Sequence, residues 1–219
     1  MPIRRRARHA GPKPDQGERT REEILAAAAR VFSERGLAGA RMDGIASEAG
    51  VNKALIYYYF GGKERLYAAV FDEHFREFNA RALEVLGAPG SARAALLRYV
   101  ELHFDSISRS RNSASLHQHF MTAGRIVQPL VMKYAKPRGD ALAKLLERGM
   151  REGEFRVVDV RHTLISITSL IVHYFSIAPI LRQVSPIDAY SPQELARRRA
   201  ALLDLIRHGL FVHPESPVP

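Results

Sequence analysis

The sequence predicts an all-α chain, with an N-terminal three-helix helix-turn-helix head joined to a C-terminal helical bundle, about nine helices in all. Three observations predict it. Apolar residues recur at three- and four-residue spacing along nearly the whole length. Capping boxes and isolated glycines punctuate those runs where helices should open and close. No segment alternates like a strand or carries an Asn-Gly hairpin signal. At 219 residues with 46% hydrophobic side chains, the chain is long enough and apolar enough for a sizeable core.

Residues 1–18 read as a basic arm rich in Arg, Pro and Gly. Thr20-Arg21-Glu22-Glu23 is a capping box expected to open the first helix, with Ile24, Leu25, Ala28, Val31 and Phe32 on its apolar face and Gly36 as its stop. In the second helix Met42, Ile45, Ala46 and Ala49 form one stripe, and Gly50 supplies the left-handed residue after it. Asn52 is the N-cap of the third helix, whose inner face is Ile56, Tyr59 and Phe60, leaving Ala54, Tyr57 and Tyr58 outward. A fourth helix runs from Lys63 to about Leu86, ended by Gly87-Ala88-Pro89-Gly90. Helices over 92–108, 113–123, 128–152 (kinked at Pro137) and 160–181 follow. Ser191-Pro192-Gln193-Glu194 opens a last helix to about Phe211. The expected domains are 1–18 (arm), 19–65 (head), 66–213 (bundle) and 214–219 (tail).

The second and third helices with their tight turn form a helix-turn-helix, a unit whose second helix lies in a DNA major groove. The match extends beyond the generic motif. The stretch IASEAGVNKALIYYYFGGKERLY, with Ala49-Gly50-Val51, the aromatic run and Lys63-Glu64 together, closely resembles the signature of the TetR family of bacterial transcription regulators. That resemblance covers about a quarter of the chain. It implies the nine-helix plan, dimerisation through the last two helices, and a small molecule bound among the middle ones.

Charge agrees with a polyanionic partner. The net charge is +10, and residues 1–65 hold 13 Lys/Arg against 8 Asp/Glu, whereas residues 66–219 hold 20 against 15. The excess per residue is therefore denser at the head. Charge alone fits a membrane surface equally well. The arm reads either as a solvated tail or as an extension tracking DNA phosphates. With no cysteine, disulfides and thiolate metal sites are excluded. Thr163–Leu181 lacks Asp, Glu, Lys and Arg, but its Ser, Thr, His and Pro residues suit a buried helix better than a membrane span. A soluble cytoplasmic protein without a membrane partner is expected.

Helix geometry and the resemblance together nominate the DNA contacts. The resemblance carries base reading to Lys53, Ala54, Leu55 and Tyr57. Lys53 suits guanine O6 or N7, and Ala54 and Leu55 suit thymine methyls. Tyr58 and Tyr59 lie nearer the groove walls, with a core role as the other reading of Tyr59. Lys63, at a helix N-terminus where free N–H groups favour phosphate, is assigned to the backbone. Asn52 replaces the family's usual Ser and caps equally well. Arg41 departs from the family's Ser or Thr: it forfeits a cap worth about 1 kcal/mol and puts a charge where phosphate is expected.

For dimerisation, Leu164, Ile167, Leu170 and Ile171 of the 160–181 helix are paired with Leu195, Leu202, Leu203, Ile206 and Leu210 of the last helix, as an intermolecular four-helix bundle. The other reading of these residues is the monomer's own core. A pocket lining is nominated from Tyr99, His103, Phe104, His117, Phe120, Met121, Met150, His173 and Tyr174, each with the same core alternative. His117 and His119 lie about 200° apart on a helix, a poor chelating pair, so neither a metal nor another cofactor is expected. No catalytic constellation is present, and the chain is not expected to be an enzyme. The expected function is a dimeric regulator of double-stranded DNA, a repressor released by a small-molecule effector. The alternative is a regulator without such an effector, controlled by a protein partner or acting as an activator.

Overall fold

The computed structural model describes residues 14–109, 111–122, 124–185 and 187–216. Among them are ten helices and no strand. They are α1 (Pro14–Gly39), α2 (Met42–Ala49), α3 (Lys53–Phe60), α4 (Lys63–Gly87), α5 (Ala92–Ser108) and α6 (Arg111–Thr122). Then come α7 (Gln128–Leu130, Val131–Ala135 and Lys136–Arg151 in succession), α8 (Val160–Ser176), α9 (Ala178–Val184) and α10 (Pro192–Leu210). Two compact units part between Val70 and Phe71, inside α4 and a little beyond the expected boundary at residue 65.

In the first unit, α1 does not open at Thr20. The helix is already under way from Pro14, a residue suited to a first turn. The Thr20 hydroxyl donates to the Gln16 carbonyl at 2.8 Å, a back-bond inside the helix instead of a cap. Gly36 breaks the helix as expected, with φ 60° and ψ −174°. The expected arm keeps only residues 1–13 outside the described residues.

Around that helix the turn chemistry follows the sequence. Gly50 is left-handed (φ 64°), and the Asn52 side chain accepts from the Ala54 N–H at 2.8 Å. Arg41 precedes α2 with no side-chain cap. Ile24, Phe32, Ile45, Ile56 and Leu66 are fully buried, so one apolar face of each of α1 to α4 meets in a single small core. Phe32 meets the Tyr67 ring edge-on at 4.8 Å between centroids.

The second unit differs from expectation at two breaks. Pro137 produces a π-helical turn, Val131–Ala135, before the regular helix resumes. Proline has no N–H to offer the preceding turn and its ring crowds that turn's carbonyl, so the ladder widens locally. The apolar run expected as one helix over 160–181 ends at Ser176, and α9 leaves it at a 55° bend with Pro179 in its first turn. Among the described residues no single helix is long and apolar enough to cross a membrane.

One carboxylate joins distant parts of this unit. Glu154 accepts from the Ser91 hydroxyl at 2.6 Å and from the N–H groups of Ala92 and Arg93, filling donors that the start of α5 leaves free. Burial alone would raise its pKa, but the Ser91, Arg93 and Ala92 donors outweigh that and hold it below the usual value. Beside it, Phe155 stacks on Phe211 at 5.6 Å, and the two residues form an isolated antiparallel bridge. Gly149 makes room for this pair: a Cβ there would lie 2.2 Å from the Phe155 ring.

Glu154→Ala is expected to lower unfolding free energy by about 1–3 kcal/mol in urea titrations, since three donors lose a charged acceptor. Gly149→Ala is expected to destabilise by a similar or larger amount through displacement of Phe155. Wild-type stability in either variant would contradict these packing assignments.

Candidate nucleic-acid interface and bundle cavity

The outward face of α3 follows from its inner one. Ile56 and Phe60 are buried, Tyr59 is half-buried, and Ala54, Tyr57 and Tyr58 are exposed, Tyr58 to 73%. Lys53 and Leu55 flank this face, both half-buried. Phe60 lies under the Arg21 guanidinium at 5.5 Å, which fastens α3 to α1. Tyr58 and Tyr59 meet edge-on, and the Tyr59 hydroxyl is buried with no hydrogen-bond partner among the described residues.

Two of the nominated cations are already engaged. Lys53 pairs with Asp43 of α2 at 2.9 Å, and that bond raises the lysine's pKa. The two side chains are 43% and 77% exposed, so water screens the pair and it is cheap to exchange for another anion. Lys63 donates to the Ala40 carbonyl at 3.1 Å, tying the start of α4 to the loop before α2. Its half-buried position leaves room for a second acceptor. Arg41 is exposed.

In the second unit a cavity of about 430 Å³ opens among α4, α5, α6, α7 and α8. Three nominated residues line it: Tyr99, His103 and His117. Four do not. Phe104 is buried against Phe175, with Arg199 over its ring. Met150 accepts from the Val158 N–H, Tyr174 lies under Arg198, and His173 is exposed. The side chains of Phe120 and Met121 lie outside the described residues. Arg138, Tyr134 and Phe75 complete the polar and aromatic part of the wall, and Val127, Leu142 and Val172 contribute to its apolar part. Sequence reasoning missed Arg138 because cations of an amphipathic helix normally face water; its partners on α4 hold it inward. Its guanidinium donates to Asn79 and lies 5.0 Å from the Phe78 ring centre.

The dimer expectation also changes. Ile167, Ile171, Leu202, Ile206 and Leu210 are all at most 5% exposed, so they belong to the chain's own core and are unavailable to a partner. Leu164 lines the cavity. Leu170, Leu195 and Leu203 remain half-exposed. The outward faces carry instead Ile165 (50% exposed) with Ser166 and Ser169 on α8, and Leu205 (52%) with Ala201 on α10. Of the nine nominated residues, Ile167, Ile171, Leu202, Ile206 and Leu210 follow the core alternative.

Three histidines sit together at the α4–α5–α6 contact. The His117 ring is 6.1 Å from His74 and 5.9 Å from His103. Burial lowers all three pKa values: His74 to about 4, with Arg109 adding to the effect; His117 to about 3, with His74 and Arg138 adding; and His103 well below its usual value, with Arg138 and His117 adding. Among the described residues no group of three His, Cys, Asp or Glu side chains is arranged to hold a metal ion.

The folded state therefore keeps these histidines neutral while the unfolded chain protonates them below pH about 6.5, so stability falls as pH drops from there. Between pH 7 and 5, where most carboxylates stay ionised, the expected loss is about 2 kcal/mol for each fully neutral histidine. Urea titrations of wild type and His117→Phe check this: the variant's stability should fall less steeply, and equal slopes would refute the assignment.

The comparisons agree with this geometry. Residues 24–70 match the family model for bacterial regulatory proteins of the tetR family, and residues 93–206 match a tetracyclin repressor-like C-terminal domain. The chain is 30% identical over 213 residues to the HTH-type transcriptional repressor NicS of Pseudomonas putida, covering 93% of this chain and 98% of NicS. It is 31% identical over 170 residues to the HTH-type transcriptional regulator RutR of Escherichia coli, covering 75% and 78% of the two chains. In fold it is similar to a transcriptional regulator from Saccharomonospora viridis in complex with choline (TM-score 0.72, 22% identity, 89% of this chain and 98% of that one). It is also similar to FadR from Bacillus subtilis in complex with stearoyl-CoA (TM-score 0.70, 24% identity, 84% and 96%). An exposed, N-capped second helix in a helix-turn-helix head, followed by a matching all-helical bundle, places this chain in the TetR family of DNA-binding transcriptional regulators.

Proposed function

We propose that this regulator is a homodimeric repressor that binds a near-palindromic operator and leaves it when a small molecule enters the bundle cavity. The observation that carries the DNA half of this reading is the outward face of α3. Ala54 and Tyr57 are exposed there, Lys53 and Leu55 flank them, and a side-chain cap fixes the helix start. In this reading Lys53 exchanges Asp43 for a base edge, Ala54 and Leu55 pack on thymine methyls, and Tyr57 reaches the groove floor. Arg41, Asn52, Tyr58 and Lys63 serve the backbone, which positions the head without reading sequence.

One such head contacts few base pairs, so two are needed, presented about 34–36 Å apart or a multiple of that. The exposed faces of α8 and α10 supply a surface for pairing two copies, with Ile165 and Leu205 as apolar contacts and Ser166, Ser169 and Ala201 allowing close approach. The cavity supports the effector half. Its volume suits a small molecule, and the same fold holds choline in one relative and stearoyl-CoA in another. Repression is favoured by the similarity to NicS, itself a repressor.

Operator fragments selected from genomic DNA test the interface. Lys53→Ala with Tyr57→Ala is expected to weaken binding to the selected site by about 10- to 100-fold while non-specific binding changes less. Lys63→Ala should weaken all sequences alike and reduce the salt slope by about one. Full specific affinity in the folded double variant would overturn the assignment of α3.

Ile165→Glu with Leu205→Glu tests the pairing surface. Sedimentation equilibrium is expected to show a folded monomer, because both side chains lie outside the core. A dimer of wild-type stability would place the interface elsewhere.

A further inference from the structure

We infer that the cavity selects a small apolar monocarboxylate and that Arg138 recognises its carboxylate. This rests on the reading of the cavity as an effector site and adds the chemical class of the effector. Arg138 brings a permanent positive charge to the cavity wall. Among the described residues no Asp or Glu lines the cavity and no carboxylate pairs with Arg138. Its acceptors are neutral: the amide oxygen of the buried Asn79 and the Tyr99 hydroxyl. The sequence around it shows the same imbalance: from Ser106 to Gly139 there are six Lys/Arg and no Asp or Glu. On α4, Asp72 is already taken by Lys133 at 2.5 Å and by the Tyr134 hydroxyl at 2.9 Å.

Two ring nitrogens on the wall lack partners, although His103 Nδ1 meets the Tyr99 hydroxyl at 3.5 Å. His103 is fully buried and His117 is 7% exposed, and His103 Nε2 and His117 Nδ1 have no hydrogen-bond partner. Unpaired polar atoms of this kind are costly unless something fills them. A neutral imidazole donates one N–H, so with Arg138 and the Tyr99 hydroxyl it can surround the two oxygens of a carboxylate.

Charge and size limit the class. One guanidinium balances a single negative charge, which suits a carboxylate better than a phosphate or a diacid. A quaternary ammonium such as choline would meet a cation with no compensating acid. Beside Tyr134 and Thr168, the wall carries Phe75, Val127, Leu142, Leu164 and Val172, which ask for an apolar or aromatic body. The guanidinium carries five N–H donors, so Arg138 can meet a carboxylate beside its bond to Asn79.

Matched probes test this on the full chain by calorimetry: benzoate, 4-phenylbutyrate and octanoate, each beside its primary amide, with benzyltrimethylammonium as the cationic counterpart. At least one carboxylate is expected to bind about tenfold or more tightly than its amide, the value of one charge-assisted contact. Arg138→Gln should erase that preference while leaving the amide's affinity within about twofold. Arg138→Lys, which keeps the charge but loses the planar fork, should retain part of it, and this second variant serves if the first does not fold. Binding of no carboxylate, equal or tighter binding of the amide or the cation, or a preference that survives Arg138→Gln would each overturn the inference. The effector reading fails separately: a carboxylate that binds with the stated preference but leaves operator affinity unchanged would refute control of DNA binding and leave the carboxylate site standing.

Discussion

The attachment of α4 to α7 is the interaction on which the rest depends. α4 is one continuous helix whose start bears Lys63 in the head and whose later turns bear Asp72 and Asn79 in the bundle. Asp72 accepts from Lys133 and Tyr134, and Asn79 accepts from Arg138. The three donors on α7 lie within or just after one irregularity. The π-helical turn ahead of Pro137 shifts the register of Lys133 and Tyr134 relative to Arg138 within little more than a turn. A regular helix would distribute these three donors differently around its axis. Asp72 itself shows the balance of forces: burial would raise its pKa, and bonds from Lys133, Tyr134 and Arg76 outweigh burial and lower it.

The cavity is built from the same residues. Tyr134 and Arg138 belong both to its wall and to the attachment of α4. The neighbouring histidines are neutral because burial leaves no room for additional charge beside an arginine. A polar cluster of this kind costs stability in a hydrophobic bundle, where Leu or Phe would pack without desolvation. The core around Leu96, Val100, Ile107, Leu146 and Ile171 is aliphatic by contrast.

Much of the head was legible in the sequence because its signals are local. Gly50 and Asn52 act through their own backbone, and the spacing of Ile56 and Phe60 decides which side chains of α3 face outward. Thr20 misled because a capping box and an ordinary helix interior share the same residues when an earlier start exists at Pro14. In the bundle, periodicity identified the helices and not their orientation. α8 and α10 carry apolar residues on more than one side, so Ile167 and Ile165 look alike in sequence, yet one is buried and the other half-exposed. The cavity was hardest to read. Tyr99, His103 and His117 were found as polar-tipped residues on apolar faces, whereas Arg138 is placed by Asn79, 59 positions away, a pairing no local pattern encodes.

A ligand at this cavity can affect DNA binding only through different affinities for two states of the protein. The shared donors provide such a difference. In the state described here the Arg138 guanidinium is committed to Asn79, and the amide of Asn79 in turn donates to the Phe75 carbonyl, a bond within α4. An anion that draws Arg138 away leaves Asn79 buried, at 2% exposure, with its oxygen unfilled. That cost falls on α4 alone and is relieved if the helix shifts to give Asn79 a new donor or water. Under the proposed effector reading, the ligand would then bind the shifted state more tightly by the cost that shift removes, and a difference of about 1.4 kcal/mol changes the ratio of two states tenfold. In that reading the buried amide of Asn79 is where occupancy of the cavity would act on α4.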